Sequence, residues 1–365
     1  MIGISDTSLT ESEIEAAVDV LRSGMLRQGK QSEAFEAEFA EKVGAEHAIT
    51  CANGSAALHL AYYALLEPGD EVLVPAFTFI ATGSMASVVG AKPVFCDVDP
   101  NTFLIDLDDA RSKITPQTKA IAPVHLFGNP VDADSVKALA AEHGLKIVWD
   151  AAQSHGATIG GTDVGSIDDV VCYSFYPSKN MFVGEGGMIC TNDAGLCEKL
   201  RYLRTHGQTG KYYHTSLGFN YRLTDMEAAI GREQLKRLDG MLNVRRANAA
   251  RLIAGIKDIP GLTVQQATVG SEHAWHQFCL LVDADVYGCT RDELSARLSE
   301  AGVMNGVHYP RGLHQQPIFE QLYGQSTLPV TEMLSERILA IPVHHGLGEQ
   351  DIDQVIAALA NAGQA

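Results

Sequence analysis

One lysine stands in a setting that suits covalent chemistry with a carbonyl group. Lys179 follows an apolar strand predicted over residues 170–175 and precedes Gly186 and Gly187, which open another predicted strand over residues 188–191. An amine that rigid elements hold away from water has a lowered pKa, so its free form can attack a carbonyl carbon. The glycines let the backbone pass close to a bulky ligand. Taken alone, however, a surface lysine in a turn before a hairpin explains this stretch better.

A turn of small residues suits a phosphate group. Asn53, Gly54 and Ser55 open a helix predicted over residues 56–66. Free backbone N–H groups, the positive end of the helix dipole and the Ser55 hydroxyl would together bind a phosphate dianion. The same residues also form an ordinary helix N-cap, and that explanation would suffice if the motif stood alone.

An aspartate follows a buried strand and needs a cation. Asp150 comes directly after an apolar strand predicted over residues 145–149. A carboxylate there is costly to bury unless a cation faces it, and a protonated pyridine nitrogen is such a cation. Gln153 is placed to bond a ring oxygen. The alternative for Asp150 is a helix or loop cap. His155, two residues after Gln153, could support these residues from behind, but for this histidine we favour a satisfied core position.

Strands alternate with helices through the first half of the chain, as in a parallel sheet. Helices are predicted over residues 11–23, 32–43, 56–66, 80–89 and 133–143, and strands over residues 71–75, 93–97, 120–127, 145–149 and 170–175. Several strands are continuously apolar, which indicates a mainly parallel sheet covered on both faces, an α/β three-layer sandwich. Ligands of such sheets gather at the carboxyl ends of the strands, where Asp150 and Lys179 lie.

The second half begins with a long helix and then changes its order of elements. Residues 224–256 are predicted to be helical, with Thr224 as the N-cap and Glu227 three residues later. A smaller C-terminal α+β domain follows. Its predicted elements are a strand at 275–282, a helix at 291–301, a strand at 303–309 and helices at 331–339 and 350–361. We therefore expect a large domain over residues 1–240, whose N-terminal residues can pack on the small domain, and the small domain over residues 241–365.

Composition excludes several classes of protein. A formal net charge of −18 over 365 residues provides no basic footprint for nucleic acid or an anionic membrane. The seven cysteines form no Cys-x-x-Cys pair, so a reduced cytoplasmic protein with neither a disulfide frame nor a metal site is expected. We see no signal peptide and no apolar run of about 18 residues that could span a membrane.

The groups that bind pyridoxal 5'-phosphate are a phosphate cradle, a buried acid for a ring nitrogen and a loop lysine. This chain has all three in that order. With these motifs the chain resembles the DegT/DnrJ/EryC1/StrS sugar aminotransferases, which are fold-type I pyridoxal-phosphate enzymes. The resemblance covers nearly the whole chain through seven runs in the family's order. They lie at residues 52–55, 75–82, 90–99, 150–157, 179–187, 218–225 and 308–314.

The resemblance implies a role for each matching residue. Lys179 would bond the cofactor aldehyde and then move the proton as acid and base. Asp150 would pair with the ring nitrogen of the cofactor, Gln153 would bond its ring hydroxyl, and Phe79 would stack on the ring. Gly54, Ser55 and Ser174 would hold the phosphate. Asn220 would reach the phosphate of the neighbouring subunit, which implies a homodimer with shared sites. His308 and Tyr309 would lie near the sugar.

From this resemblance we expect transfer of an amino group, with L-glutamate as donor, to a nucleotide-linked keto-sugar. Within the family a dehydratase would carry histidine in place of Lys179, whereas a transaminase of cyclitols or of aromatic-amine precursors stays open. A non-catalytic cofactor-binding paralogue that acts as a regulator is the alternative from another class. Two departures from the family pattern, Trp149 and Gly312, bear on packing behind the cofactor and on the identity of the sugar respectively.

From the residues alone, Phe79 could also be a plain core residue, Asn220 and Arg222 a turn and a surface charge, and His308 the start of a Tyr-Pro turn. These alternatives remain open at the level of sequence.

Overall fold

The computed structural model describes residues 1–167 and 169–363. The final two residues of the predicted second domain lie outside that range. The α-helices are α1 Glu11–Ser23, α2 Lys30–Val43, α3 Gly54–Leu65, α4 Ala81–Val88, α5 Leu107–Ser112, α6 Ala133–His143, α7 Ala194–Arg204, α8 Asp225–Ile256, α9 Ala284–Tyr287, α10 Arg291–Glu300, α11 Pro317–Tyr323, α12 Pro329–Arg337 and α13 Glu349–Ala362. Short 3-10 helices span Leu126–Gly128, Val164–Ser166 and Leu313–Gln315.

The strands form one large sheet and three small ones. They are β1 His47–Cys51, β2 Glu71–Pro75, β3 Lys92–Cys96, β4 Thr118–Ile121, β5 Lys146–Asp150, β6 Thr158–Ile159, β7 Thr162–Asp163, β8 Val170–Ser174, β9 Gly187–Thr191, β10 Gln208–Gly210, β11 Tyr213–His214, β12 Leu262–Val264, β13 Ser271–Glu272, β14 Phe278–Val282 and β15 Ile338–Ile341. The large sheet has seven strands in the order β1-β9-β8-β5-β4-β2-β3.

The large sheet is mainly parallel, as predicted. Strands β3, β2, β4, β5 and β8 pair in parallel, and only β9 runs against its neighbours β8 and β1. Successive side chains of β5 join different apolar clusters, Ile147 and Trp149 on one face and Val148 on the other. Both faces are therefore buried under helices, which confirms the three-layer α/β architecture. The carboxyl ends of β1, β2, β5 and β8 consequently meet at one edge.

The long helix begins where its sequence predicts. Thr224 caps α8 in a capping box with Glu227, whose side chain accepts from the Thr224 N–H at 3.1 Å. This reciprocal pairing satisfies two amide groups that the first turn leaves unpaired. The helix passes through residue 240, where the sequence suggested a domain boundary. We propose that the smaller unit begins within α8.

A second core lies around the C-terminal half of α8. It packs the sheet β12-β14-β15 against α10 and α13, with Ala249 and Leu252 from α8. Ile2 joins this cluster and forms a parallel bridge with Val303. The first residues of the chain therefore contact the C-terminal part.

Three predicted elements differ from the structure. The strand predicted over residues 120–127 ends at Ile121, because Pro123 has no N–H for the ladder and a 3-10 helix follows. Residues 303–309 form only isolated bridges, at Val303 and Gly306. The helix predicted over residues 331–339 ends at Arg337, since the apolar run from Ile338 pairs with β14 instead. No helix within the described ranges has the length and apolar character needed to cross a membrane.

Candidate active site

The lysine and the aspartate singled out from the sequence lie at the ends of neighbouring strands. Asp150 is the last residue of β5, and the loop carrying Lys179 follows β8, the parallel neighbour of β5. A turn in which the Lys179 N–H donates to the Tyr176 carbonyl at 2.9 Å shapes that loop. Burial lowers the pKa of Lys179 to about 8, although the charge of Asp150 opposes this shift. A substantial fraction of the amine is therefore neutral near pH 8.

The aspartate is a buried acid with two hydrogen-bond donors. Asp150 is 5% exposed, and its carboxylate accepts from Thr82 Oγ1 at 2.7 Å and from the Ala152 N–H at 3.1 Å. Burial raises its pKa, and this effect outweighs both hydrogen bonds and the attraction of Lys179. Within residues 1–167 and 169–363, no cation forms an ion pair with it at 4.0 Å or less. A cation at this edge of the sheet would compensate the buried charge.

Three small residues form a cradle beside this pair. Gly54 and Ser55 begin α3, and Ser174 ends β8. A Cβ atom added to Gly54 would stand 2.7 Å from the Ser174 Cβ, closer than side chains tolerate. Gly187 of β9 lies between the ends of β1 and β8, since it pairs with Cys51 at the end of β1 and with Ser174 at the end of β8. The N-terminus of α3 thus opens toward Ser174, with Asn53 capping it through the Ala56 N–H at 2.8 Å.

The aromatic residue predicted to stack on a ring is exposed. Phe79 lies between β2 and α4, and 57% of its surface is accessible. The alternative that Phe79 is a plain core residue is therefore wrong. An exposed phenyl ring at the carboxyl end of the sheet is available to a ligand.

Gln153 and Tyr309 are held together. Gln153 Oε1 accepts from the Phe127 N–H at 2.7 Å, and its Nε2 donates to the Tyr309 hydroxyl at 2.8 Å. Tyr309 adopts φ 58° and stacks on Phe127 at 5.9 Å. The charge of Asp150 adds to the burial that raises the pKa of Tyr309, so the phenol lies within electrostatic range of that carboxylate. A bond from Gln153 to a ring oxygen would use its remaining amide hydrogen.

His308 also lies within electrostatic range of the lysine. Its ring is 2.7 Å from Gln277 Nε2, and burial, followed by the charge of Lys179, lowers the pKa of His308 to about 4. The imidazole is therefore neutral near pH 7 and can exchange hydrogen bonds with a ligand without adding charge.

Asn220 lies near the phosphate cradle of its own chain, because the carbonyl of its neighbour Tyr221 accepts from the Ala52 N–H at 2.8 Å. It is exposed, and its Oδ1 accepts from Arg222 Nη2 at 2.6 Å. Arg222 lines an open cavity of about 560 Å³ together with Arg27, Arg201 and Lys211. Asn220 thus lies beside a cationic surface depression.

The structure adds one residue to which the sequence gave no role in the site. Thr82 lies within a quoted run, but no local pattern predicts that its hydroxyl reaches Asp150. His155 is buried as expected, and the backbone of Ser174 acts on its ring as a hydrogen-bond partner. Burial lowers its pKa to about 3, and its ring packs against Tyr173 and Phe175.

Comparisons with known proteins agree over nearly the whole chain. The profile of the DegT/DnrJ/EryC1/StrS aminotransferase family matches residues 7–360. A UDP-N-acetyl-3-dehydro-alpha-D-glucosamine 3-aminotransferase of Acidithiobacillus ferrooxidans is 42% identical over 335 residues, covering 91% of this chain and 88% of that protein. A protein of Geobacillus stearothermophilus named pleiotropic regulatory protein is 41% identical, covering 94% and 92%.

Among solved structures, DesV of S. venezuelae in complex with a ketimine intermediate superposes with a TM-score of 0.93. It is 36% identical, and the match covers 97% of this chain and 94% of that one.

Proposed function

Because this chain belongs to the DegT/DnrJ/EryC1/StrS aminotransferase family, we propose that it uses pyridoxal 5'-phosphate to move an amino group from an amino acid to a nucleotide-linked keto-sugar. The observation that carries the proposal is the pair of opposed pKa shifts at one sheet edge. Burial lowers the pKa of Lys179 to about 8 and raises that of Asp150. Opposed shifts of this kind, in groups held at one sheet edge, are typical of active sites.

The residues present fit this cofactor. The buried Asp150 carboxylate needs a cation, and a pyridinium nitrogen is one. The cradle of Gly54, Ser55 and Ser174 has no room for a Cβ on Gly54, which suits a phosphate approached closely by backbone. The exposed ring of Phe79 offers a stacking surface.

The protein residues divide the reaction between them. Pyridoxal phosphate, when bound, supplies an electron-accepting ring. Lys179 Nζ accepts the proton from the α-carbon of the amino donor and, in the second half-reaction, delivers a proton to the sugar carbon that receives the amine. The hydrogen bond from Thr82 fixes the Asp150 carboxylate, so its negative charge would face the ring nitrogen. Rigid placement of Asp150 and Lys179 lowers the entropic cost of bringing the reactants together.

The name of one relative supports a nucleotide-linked sugar substrate. The Acidithiobacillus ferrooxidans protein is named for a UDP-linked 3-dehydro-sugar. We propose a substrate of that class here, with L-glutamate as the donor. Lys179 disfavours a dehydratase, in which histidine would stand at this position.

The experiment is spectroscopic and chemical. The protein purified with pyridoxal phosphate should show the visible band of the lysine-linked cofactor, lose it on addition of L-glutamate, and form an amino sugar from a UDP-linked 3-keto-sugar, detected by mass spectrometry. Lys179→Ala should abolish both changes. A band that persists with every amino donor would refute the transaminase and favour a regulator that only binds the cofactor.

We also propose a homodimer whose two sites each take Asn220 from the partner subunit. The exposure of Asn220 supports this arrangement, because an exposed side chain can reach a second subunit. Mixing subunits carrying Lys179→Ala with subunits carrying Asn220→Ala should restore part of the activity, because some mixed dimers hold one intact site. Mixed subunits that remain inactive although mixed dimers form would contradict shared sites.

A further inference from the structure

A small polar cavity opens beside the loop that carries the lysine. Its volume is about 110 Å³. It is lined by Ile4, Ser5, Ser178, Arg245, His276, Gln277, His308, Ala340, Ile341 and Val343. Ser178 is the neighbour of Lys179 in the chain, and the charge of Lys179 acts on both His276 and His308. None of the lining residues found in the described part of the chain is acidic.

One lining residue is a buried cation without a partner anion. Arg245 of α8 is 2% exposed, and its Nη1 donates to the carbonyls of Trp275 at 3.1 Å and His276 at 3.4 Å. Its Nε has no hydrogen-bond partner within residues 1–167 and 169–363. Burial lowers the pKa of Arg245 to about 10, and the charge of Asp6 opposes this shift without forming an ion pair within 4.0 Å. A buried charge of this kind is costly unless an anion joins it.

Other polar atoms around the cavity are also unpaired. His276 Nδ1 and Gln277 Oε1 lack hydrogen-bond partners among the described residues. His308 holds the Gln277 amide at 2.7 Å and is neutral near pH 7, so it adds no competing charge. Buried polar groups are normally satisfied in folded proteins. Several unsatisfied groups around one cavity therefore indicate that a polar ligand completes it.

The size of the cavity limits which anion can enter. The cavity of about 110 Å³ has about a fifth of the volume of the open cavity of about 560 Å³, so it suits a small carboxylate better than a nucleoside diphosphate. The open cavity of about 560 Å³ lined by Arg27, Lys211 and Arg222 offers much more room for a larger anion. The carboxylate of the amino donor and the diphosphate of the sugar nucleotide could therefore occupy separate cationic cavities, the smaller beside Arg245 and the larger beside Arg222.

From these observations we propose that Arg245 binds a carboxylate of the amino-acid donor in this cavity, with His308, which Gln277 Nε2 holds in place, donating a second hydrogen bond to it beside Lys179. The inference rests on the proposed transamination and adds the site that recognises the donor. Arg and carboxylate form the strongest common type of hydrogen-bonded ion pair, and exclusion of water from the cavity would strengthen it.

The test separates the two half-reactions. In the enzyme loaded with pyridoxal phosphate, Arg245→Gln should raise the apparent Kd for L-glutamate, measured from the rate of band loss, by about 10- to 100-fold, the value of one charge-assisted bond. The amino-loaded form should still react with the keto-sugar within about 3-fold of wild type. Arg245→Lys should recover part of the affinity. Arg251→Gln, on the exposed side of the same helix and paired with Asp353, serves as the control and should leave both half-reactions unchanged.

A binding measurement on the wild-type holoenzyme stands independently of whether the variants fold. Glutarate, which cannot transaminate, should bind in calorimetry and be displaced by L-glutamate but not by UDP. Displacement by UDP, absence of glutarate binding, or equal losses in both half-reactions of Arg245→Gln would overturn the donor-carboxylate site. Failure of the proposed function itself looks different, because no amino donor would then discharge the wild-type band.

Discussion

The hydroxyl of Thr82 offers a sharp test of the buried acid. Thr82 and Asp150 are both buried, and their hydrogen bond is 2.7 Å long. Thr82→Val keeps the shape of the side chain but removes a donor to a charged acceptor, which is worth about 1.5–3 kcal/mol. Since one pKa unit corresponds to about 1.4 kcal/mol, the pKa of Asp150, already raised by burial, should rise by a further one to two units.

The sign of the pH dependence follows from the charge that the hydroxyl stabilises. The hydrogen bond favours the carboxylate, so its loss should destabilise the cofactor-free protein most at pH 8 and progressively less as falling pH protonates Asp150. Cofactor affinity and the rate of the glutamate half-reaction should fall about 10- to 100-fold at pH 7 and recover partly at higher pH.

Measuring this requires denaturant unfolding at several pH values and stopped-flow loss of the visible band. Thr331→Val is a matched control, because Thr331 Oγ1 donates to the buried Asp97 at 2.8 Å away from this site. It should lower stability without changing the spectrum or the half-reaction. If Thr82→Val lowered stability equally at all pH values and left cofactor affinity unchanged, the argument that Asp150 must stay ionised for the cofactor would be refuted.

Three further changes probe the surroundings of the site. Asp163→Asn should raise the free energy of unfolding by about 1–2 kcal/mol at pH 8 but not at pH 4, because burial raises the pKa of this partly exposed carboxyl to about 7 and its ionisation opposes folding as pH rises. An equal gain at pH 4 would contradict the titration. Gly54→Ala should weaken pyridoxal phosphate binding at least about 10-fold in a titration, since its Cβ meets Ser174 at 2.7 Å; unchanged binding would show that the cradle is elsewhere. Glu36→Gln should lower the free energy of urea unfolding by about 3 kcal/mol, because the buried Arg204, which lies 2.6 Å from Glu36 in the wild type, loses its anion. A loss under about 1 kcal/mol would argue against that pairing.

Sequence reasoning succeeded where a local pattern determines an element. Periodicity and capping residues placed α1, α6 and the start of α8, and apolar runs bounded by glycine or proline placed β2. The carboxyl-end rule then brought Asp150 and Lys179 to one edge of the sheet, because their strands are parallel neighbours. These predictions need only local chemistry and one general property of parallel sheets.

Sequence reasoning failed where distant residues decide the outcome. Nothing near Thr82 indicates that its hydroxyl will meet Asp150, which lies 68 positions later. Arg245 reads as one more polar residue on a long helix, and only the fold shows that it is buried beside a cavity. The apolar run from Ile338 was assigned to a helix because the pairing of that run with β14 comes from outside its own sequence.

The unpaired buried charges explain why this edge of the sheet is both costly and useful. Asp150 and Arg245 form no ion pair within 4.0 Å among the described residues, although the charges of Lys179 and Asp6 act on them from farther away. Each of these lowers the stability of the protein alone, and the surrounding apolar clusters on both faces of the sheet must offset that loss. A ligand that supplies a ring cation to Asp150 and a carboxylate to Arg245 removes both penalties upon binding. Cofactor and donor should therefore each stabilise the fold.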